Sequence, residues 1–210
     1  DSAVCLYLVS GALGKKNIHP VFMPSGNDRD LAARVENLCG ELGVMLKIYN
    51  LKDMVNVYLE KTGPVTKMQE GNFTTRLRTA FLYSEAESTS SLVINTSNLS
   101  ETLVGYFTKW GDEAGDISPL GGLYKTEVYE LARYLKVPRE IIDAVPSAGF
   151  FKGQTDESEL GMNYDKLDKI LIAIKEGKTD KYATDNVGKV QALIRNSVHK
   201  REEIPVPDID

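Results

Sequence analysis

Apolar positions along the chain follow two spacings in turn. Residues 2–13 are apolar almost all round, the pattern of a helix buried between layers. Residues 18–23, IHPVFM, read as a short strand, and PSGN after it as a turn. Over 28–42, Leu31, Val35, Leu38, Cys39 and Leu42 recur on one helical face, and Gly43 supplies a C-cap. VMLKIY at 44–49 is the next strand. Helical spacing returns over 51–60, where Met54, Val55, Tyr58 and Leu59 cluster. It returns again over 73–86, with Phe73, Leu77, Ala80 and Phe81 on the buried side. SLVINT at 91–96 is a strand too short to alternate, of the kind covered on both faces in a parallel sheet. Val128, Leu131, Ala132 and Leu135 keep helical register up to Pro138. Leu167, Ile170, Leu171 and Ile174 do the same over 164–177, and a helix over 185–199 closes the series. The tail from 204 to 210 carries two prolines and is irregular.

Strand and helix signals that alternate predict an α/β domain with a parallel sheet. No internal repeat or linker divides residues 1–210. A helix as apolar as 2–13 calls for a strand to feed it, so the pattern predicts a strand and turn upstream of Asp1.

Composition changes this picture little. The chain is 42% hydrophobic and 26% charged, with a net charge of −5, which excludes a general nucleic-acid binder but not a site for a small anion. No apolar run approaches the roughly 18 residues of a membrane span. The two cysteines, Cys5 and Cys39, sit among apolar residues and read as buried free thiols of a reducing compartment, the cytoplasm. Two histidines exclude a His-rich metal site. The sequons at Asn72, Asn95 and Asn98 are silent in that compartment.

Candidate chemistry gathers at two places. Asp1-Ser2 opens the first helix, either as an N-cap or as an anion site with a carboxylate for Mg²⁺. The second place follows the 91–96 strand, and ligands in open α/β sheets sit beyond the carboxyl ends of strands. Asn98-Leu99-Ser100-Glu101 matches a capping box, which alone would explain Glu101. It does not explain Lys109, Asp112, Glu113 and Asp116, nor ISPLGGLYK with its Gly121-Gly122 pair and Lys125; these suit a phosphate-and-metal site. Arg76 and Arg78, two apart on a helix, point about 200° apart and cannot share a ligand group. The run His199-Lys200-Arg201 complements a helix C-terminus, with a role on an anionic substrate left open.

The run NTSNLSETLVGYFTKWGDEAGDISPLGGLYKTEV resembles the ammonia-dependent NAD⁺ synthetases, and the likeness extends to GNFTTRLR, LARYLKVPREII, PSAGF, GQTDESELGMNYDKLD and HKR. These enzymes are N-type ATP pyrophosphatases, whose loop reads S-G-G-x-D-S. Asp1-Ser2 then look like the end of that loop, with the first strand and the SGG part absent. PSGNDRDLAARV also looks shorter than the family's loop there. The resemblance implies an adenine nucleotide alpha hydrolase-like fold, an open parallel sheet with helices on both faces, in one N-terminally incomplete synthetase domain over 1–210. It implies amidation of deamido-NAD⁺ with ATP and ammonia, through an adenylated carboxylate, with Mg²⁺. Carried over by position, Asp1 and Glu101 hold Mg²⁺, and Asp1, Glu101 and Lys125 are catalytic. Ser2, Thr96, Lys125 and Ser147 bind ATP. Arg76, Lys109, Asp116, His199 and Lys200 bind deamido-NAD⁺, across the interface of a homodimer.

Three other readings share parts of this pattern. A glutamine-dependent NAD⁺ synthetase would add an amidase domain. Another N-type pyrophosphatase, such as a GMP synthetase-like or tRNA-thiolating enzyme, shares the adenylation step, but Cys5 and Cys39 in apolar helices disfavour thiolation. A non-catalytic nucleotide-binding module would need no acid pair.

Overall fold

A computed structural model describes residues 1–26, 29–151 and 153–209. The turn expected over PSGN bends at Ser25 and Gly26; its Asn27, the expected helix start at Asp28 and the last tail residue Asp210 lie outside the described residues. The elements run α1 (Ser2–Leu13), a 3-10 turn (Lys15–Asn17), β1 (Val21–Phe22), α2 (Arg29–Leu42), β2 (Lys47–Ile48), α3 (Lys52–Thr62), α4 (Lys67–Thr89) and α5 (Leu99–Val104). Then follow α6 (Lys125–Tyr134), α7 (Arg139–Ile142), α8 (Asp156–Leu160), α9 (Tyr164–Glu176), α10 (Thr184–Asn196) and α11 (Val198–Arg201).

The class is α/β and the pairing parallel, as expected. The ladder is Lys47 N to Pro20 O at 3.0 Å, Tyr49 N to Phe22 O at 3.0 Å and Leu51 N to Pro24 O at 2.8 Å. Pro20 and Pro24 need only their carbonyls here, so their missing N–H groups cost nothing on this edge. Met23 faces the opposite edge, and its carbonyl accepts from Arg78 Nε at 3.1 Å.

Several boundaries differ from the expected ones. The strands expected over 18–23 and 44–49 shrink to two residues each, and 91–96 pairs only through a parallel bridge, Ile94 with Ile117. Its backbone is held instead by loop 112–118: Asn95 N donates to Ile117 O at 2.8 Å, and Asp116 N to Val93 O at 2.8 Å. α1 is not buried all round, since only Val4 and Cys5 are. α4 starts six residues early, because Thr66 and Gln69 form a capping box at 66–69. Its buried positions are Gly71, Thr74, Thr75, Glu85 and Ala86, not the apolar set. Phe73 and Phe81 lie half-buried against Tyr58 and Tyr49, with centroids 3.8 and 5.2 Å apart. The final helix breaks at Ser197 into α10 and α11.

Two apolar clusters flank α6. One joins α1 to α6 through Val4, Cys5, Val128 and Ala132. The other joins α5, α8, α9 and α10 through Val104, Leu160, Leu167, Ile170 and Val190. Both cysteines are free and buried, and burial pushes the Cys5 thiol up to about 11. Among the described residues no helix is long and apolar enough to cross a membrane.

Candidate active site

Side chains at the N-termini of α1, α6, α9 and the short α5 meet at one place. Lys125, the first residue of α6, lies there 7% exposed. Its Nζ donates to Asp1 Oδ2 at 2.5 Å and to Glu101 Oε1 at 3.3 Å. The same ammonium stands 5.3 Å from the Tyr164 ring centroid and 5.9 Å from that of Tyr129. A buried lysine is normally paired in this way.

The geometry bears on the two open readings of the acids. The Asp1 side chain makes no capping bond to α1, and its second oxygen, Oδ1, is buried without a partner. Asp1 is therefore turned toward the site. Glu101 has both duties: the capping box is present, with Glu101 N donating to Asn98 Oδ1 at 3.0 Å and Asn98 N to Glu101 Oε2 at 3.4 Å. Its other oxygen faces Lys125. Asn95 and Asn98 are 5% and 0% exposed, so two of the three sequons are inaccessible in the folded chain.

A buried polar frame supports these groups. The Asp168 carboxylate, 2% exposed on α9, accepts from Ser100 Oγ at 2.5 Å and from Thr126 N at 2.9 Å. Ser100 Oγ in turn accepts from Lys125 N at 2.9 Å. Asp168 thus ties α5, α6 and α9 together and offsets the α6 dipole. Tyr164 OH lies 3.0 Å from Asp156 Oδ2 and 3.4 Å from Glu101 Oε1. Tyr106 OH lies 3.1 Å from Asp156 Oδ1 and 2.5 Å from Glu159 Oε2. Burial, then the Glu101 and Asp156 charges, hold the Tyr164 phenol far above its ordinary value, so it acts as a donor.

The sequence profile of the NAD synthase family matches residues 1–204. The chain belongs to this family. The NH(3)-dependent NAD(+) synthetase of Thermococcus sibiricus is 42% identical over all of this chain and 85% of its own length. That of Archaeoglobus fulgidus is 41% identical over 98% of this chain and 83% of its own. Among solved structures, the NMN synthetase of Francisella tularensis superposes with a TM-score of 0.87 at 32% identity, covering 99% of this chain and 85% of that one. The NH3-dependent NAD synthetase of Campylobacter jejuni, in complex with a nitrate ion, gives 0.83 at 26%, covering 99% and 84%.

Within this NAD synthase chain the remaining candidates fall into a second group and some outliers. Arg76 Nε donates to Lys109 O at 3.1 Å, and Lys109 Nζ to His199 O at 2.5 Å. Lys200 Nζ donates to Gly105 O at 2.7 Å and Phe107 O at 2.8 Å, which clamps α11 to the end of α5; burial lowers its pKa. Arg76, Lys109, His199 and Lys200 are thus brought together, with the Arg76 and His199 side chains exposed. Asp116 is used locally, its Oδ2 accepting from Val93 N at 2.8 Å. Ser2 is exposed at the start of α1, and Thr96 is half-buried just past the bridge residue Ile94. Ser147 is exposed, its Oγ accepting from Gly149 N at 3.0 Å.

Sequence reasoning missed Tyr106, Tyr164 and Asp168 and left Asp156 without a role. For Asp168 a signal existed. It stands beside Leu167 and one turn from Tyr164 and Leu171, where the helical period requires a buried residue. An acid at a core position announces a partner.

Proposed function

We propose that this protein is an ammonia-dependent NAD⁺ synthetase. The nicotinate carboxylate of deamido-NAD⁺ attacks the α-phosphorus of ATP, and pyrophosphate leaves. Ammonia then attacks the carbonyl carbon of the acyl adenylate, and AMP leaves. A carboxylate is a poor electrophile; the mixed anhydride supplies the leaving group that amidation needs.

The observation that carries this reading is the Lys125–Asp1–Glu101 group, where side chains at the helix N-termini meet. The N-terminus of α1, which no side chain caps, favours phosphate, and Lys125 reaches the phosphates from its place between the acids. Among the described residues no cluster of three or more His, Cys, Asp and Glu forms a metal cage. Mg²⁺ takes one or two carboxylates and completes its shell with phosphates and water. The unpartnered Asp1 Oδ1 is the free donor such an ion requires. Asp1 and Glu101 would hold it, and when bound it neutralises charge on the departing pyrophosphate. Ser2, Thr96 and Ser147 contact ATP. Arg76, Lys109, Asp116, His199 and Lys200 bind the dinucleotide, with a second copy of the chain closing the groove in a homodimer. The setting is the cytoplasm.

The structural likeness to an NMN synthetase at a TM-score of 0.87 supports a second reading, with nicotinate mononucleotide as the acid. The curated relatives at 41–42% identity favour the dinucleotide. Incubating the full-length protein with ATP, Mg²⁺, ammonium and each acid in turn separates the two by the ratio of kcat/KM. Replacing ammonium with glutamine then tests for an amidase-linked enzyme.

A further inference from the structure

We infer that Phe150 is a positioning residue: its ring, seated on Gly71 of α4, holds the loop over 146–151 so that Ser147 is presented to ATP. The inference rests on the function proposed above and on Ser147 as an ATP contact. Over 144–151 only Pro146 and Phe150 are even half-buried; the others, Ser147 among them, are exposed. Ser147 is therefore placed by its neighbours and not by packing of its own. Pro146 O accepts from Asp156 N at 3.0 Å, which fixes the near end of the loop to α8. Ser147 Oγ accepts from Gly149 N at 3.0 Å, and its own proton stays available for a phosphate oxygen. Further on, Phe150 N donates to Gln154 Oε1 at 2.7 Å, and Gln154 Nε2, on a residue 5% exposed, donates to Glu159 Oε2 at 3.1 Å.

These bonds shape the loop and tie it to α8. The Phe150 ring ties it to a different element. Gly71 is buried in α4, and a β-carbon built on it would overlap Phe150 Cγ, Cδ1 and Cδ2. Cγ is the ring atom nearest the backbone, so a larger residue at 71 must displace the whole of Phe150 and not only the rim of its ring. The seat sets Gly149 and Phe150 around a small pocket with Ser25, Thr74 and Arg78. Ser25 lies just past β1, beyond the carboxyl end of the strand, which is where ligands sit in open α/β sheets. The contact with Gly71 thus keeps the loop that carries Ser147 on the ligand side of the sheet.

Phe150→Ala removes the ring and leaves the hydrogen bonds of the loop. A loop that must be ordered on binding loses affinity that a seated loop keeps, on the order of tenfold. KM for ATP should rise about tenfold, and calorimetric ATP binding should weaken by the same factor. KM for deamido-NAD⁺ should stay within about twofold and the melting temperature within about 2 °C of wild type. Gly71→Ala should raise KM for ATP likewise, from the other side of the contact. Alanine ordinarily favours a helix, so a glycine without this use would give a more stable protein with unchanged KM. In a Ser147→Ala background, Phe150→Ala should add less than about twofold, because the group it positions is gone. An unchanged KM for ATP in both single variants would overturn the inference. So would a lowered KM, the mark of a ring that blocks the nucleotide, or a full tenfold loss that persists in Ser147→Ala. A wild type that binds no ATP and forms no AMP overturns the functional reading and the inference with it. A working wild type beside an unaltered Phe150→Ala overturns the inference alone.

Discussion

Glu101 caps a helix and faces a lysine with the same carboxylate. Its two duties separate in Glu101→Gln, because the glutamine carbonyl still accepts from Asn98 N while the charge is gone. Removing one charge that acts in the transition state costs roughly 10²–10³ in rate. We predict that loss in AMP formation with a melting temperature within about 2 °C of wild type. Persistence of turnover per folded molecule would reduce Glu101 to a cap. The sequence could place Asn98 and Glu101 in a capping box because that motif is local. It could not decide Asp1, whose partner Lys125 is 124 positions away. Local chemistry makes Asp a good cap, and only the tertiary contact shows that it is turned away from its helix.

Among elements, the helices with a strong apolar face were legible, and the strands were legible in place but not in length or partner. α9 follows its expected register because Leu167, Ile170 and Leu171 recur at 3.6-residue spacing on a wholly buried side. The partner of Ile94 is Ile117, in a stretch broken by Asp116, Ser118 and Pro119, which no alternation rule would choose. α4 misled for a different reason: it buries Thr74, Thr75 and Glu85, whose polar groups are satisfied by α4 carbonyls and by Lys47 and Tyr49. Apolar periodicity does not see such a face. Asp168 belongs to this scale, since it joins three helices. Asp168→Ala leaves Ser100 Oγ and Thr126 N without their acceptor in a buried place. The expected loss is about 3 kcal/mol of stability, measured by urea unfolding. A loss under about 0.5 kcal/mol would mean that α6 is held by its apolar face alone.

The whole molecule ties its small sheet to the helical layer through charge. Lys47 and Tyr49, on and just after β2, both bond Glu85 of α4, at 2.7 Å to its Oε2. These bonds hold the Glu85 carboxyl below its ordinary 4.5 and Lys47 above its ordinary 10.5. A depressed carboxyl stabilises the fold above its ordinary pKa, and that contribution is lost as pH falls through the lower folded value. Glu85→Gln should therefore be less stable than wild type at pH 7, and the difference should shrink as pH falls through that lower value. A gap in urea midpoint independent of pH would contradict this. The exposed Arg76 and His199 side chains leave the second group open on one side, which a partner copy would close. Sedimentation equilibrium should give two copies per particle, and a strictly monomeric enzyme with full activity would contradict the shared groove.

The fold class and the Glu101–Lys125 region were readable because the run 95–125 is long and specific. The link of Tyr106 to Asp156 and Tyr164 was not, because Tyr106 and Asp156 lie 50 positions apart, whereas Asp168 carried a local signal as an acid at a core position. The most direct measurement is product analysis on the full-length protein with ATP, Mg²⁺, deamido-NAD⁺ and ammonium. The account predicts AMP and NAD⁺ in equal amounts, with no AMP when deamido-NAD⁺ is left out. Bound ATP with neither product would contradict it.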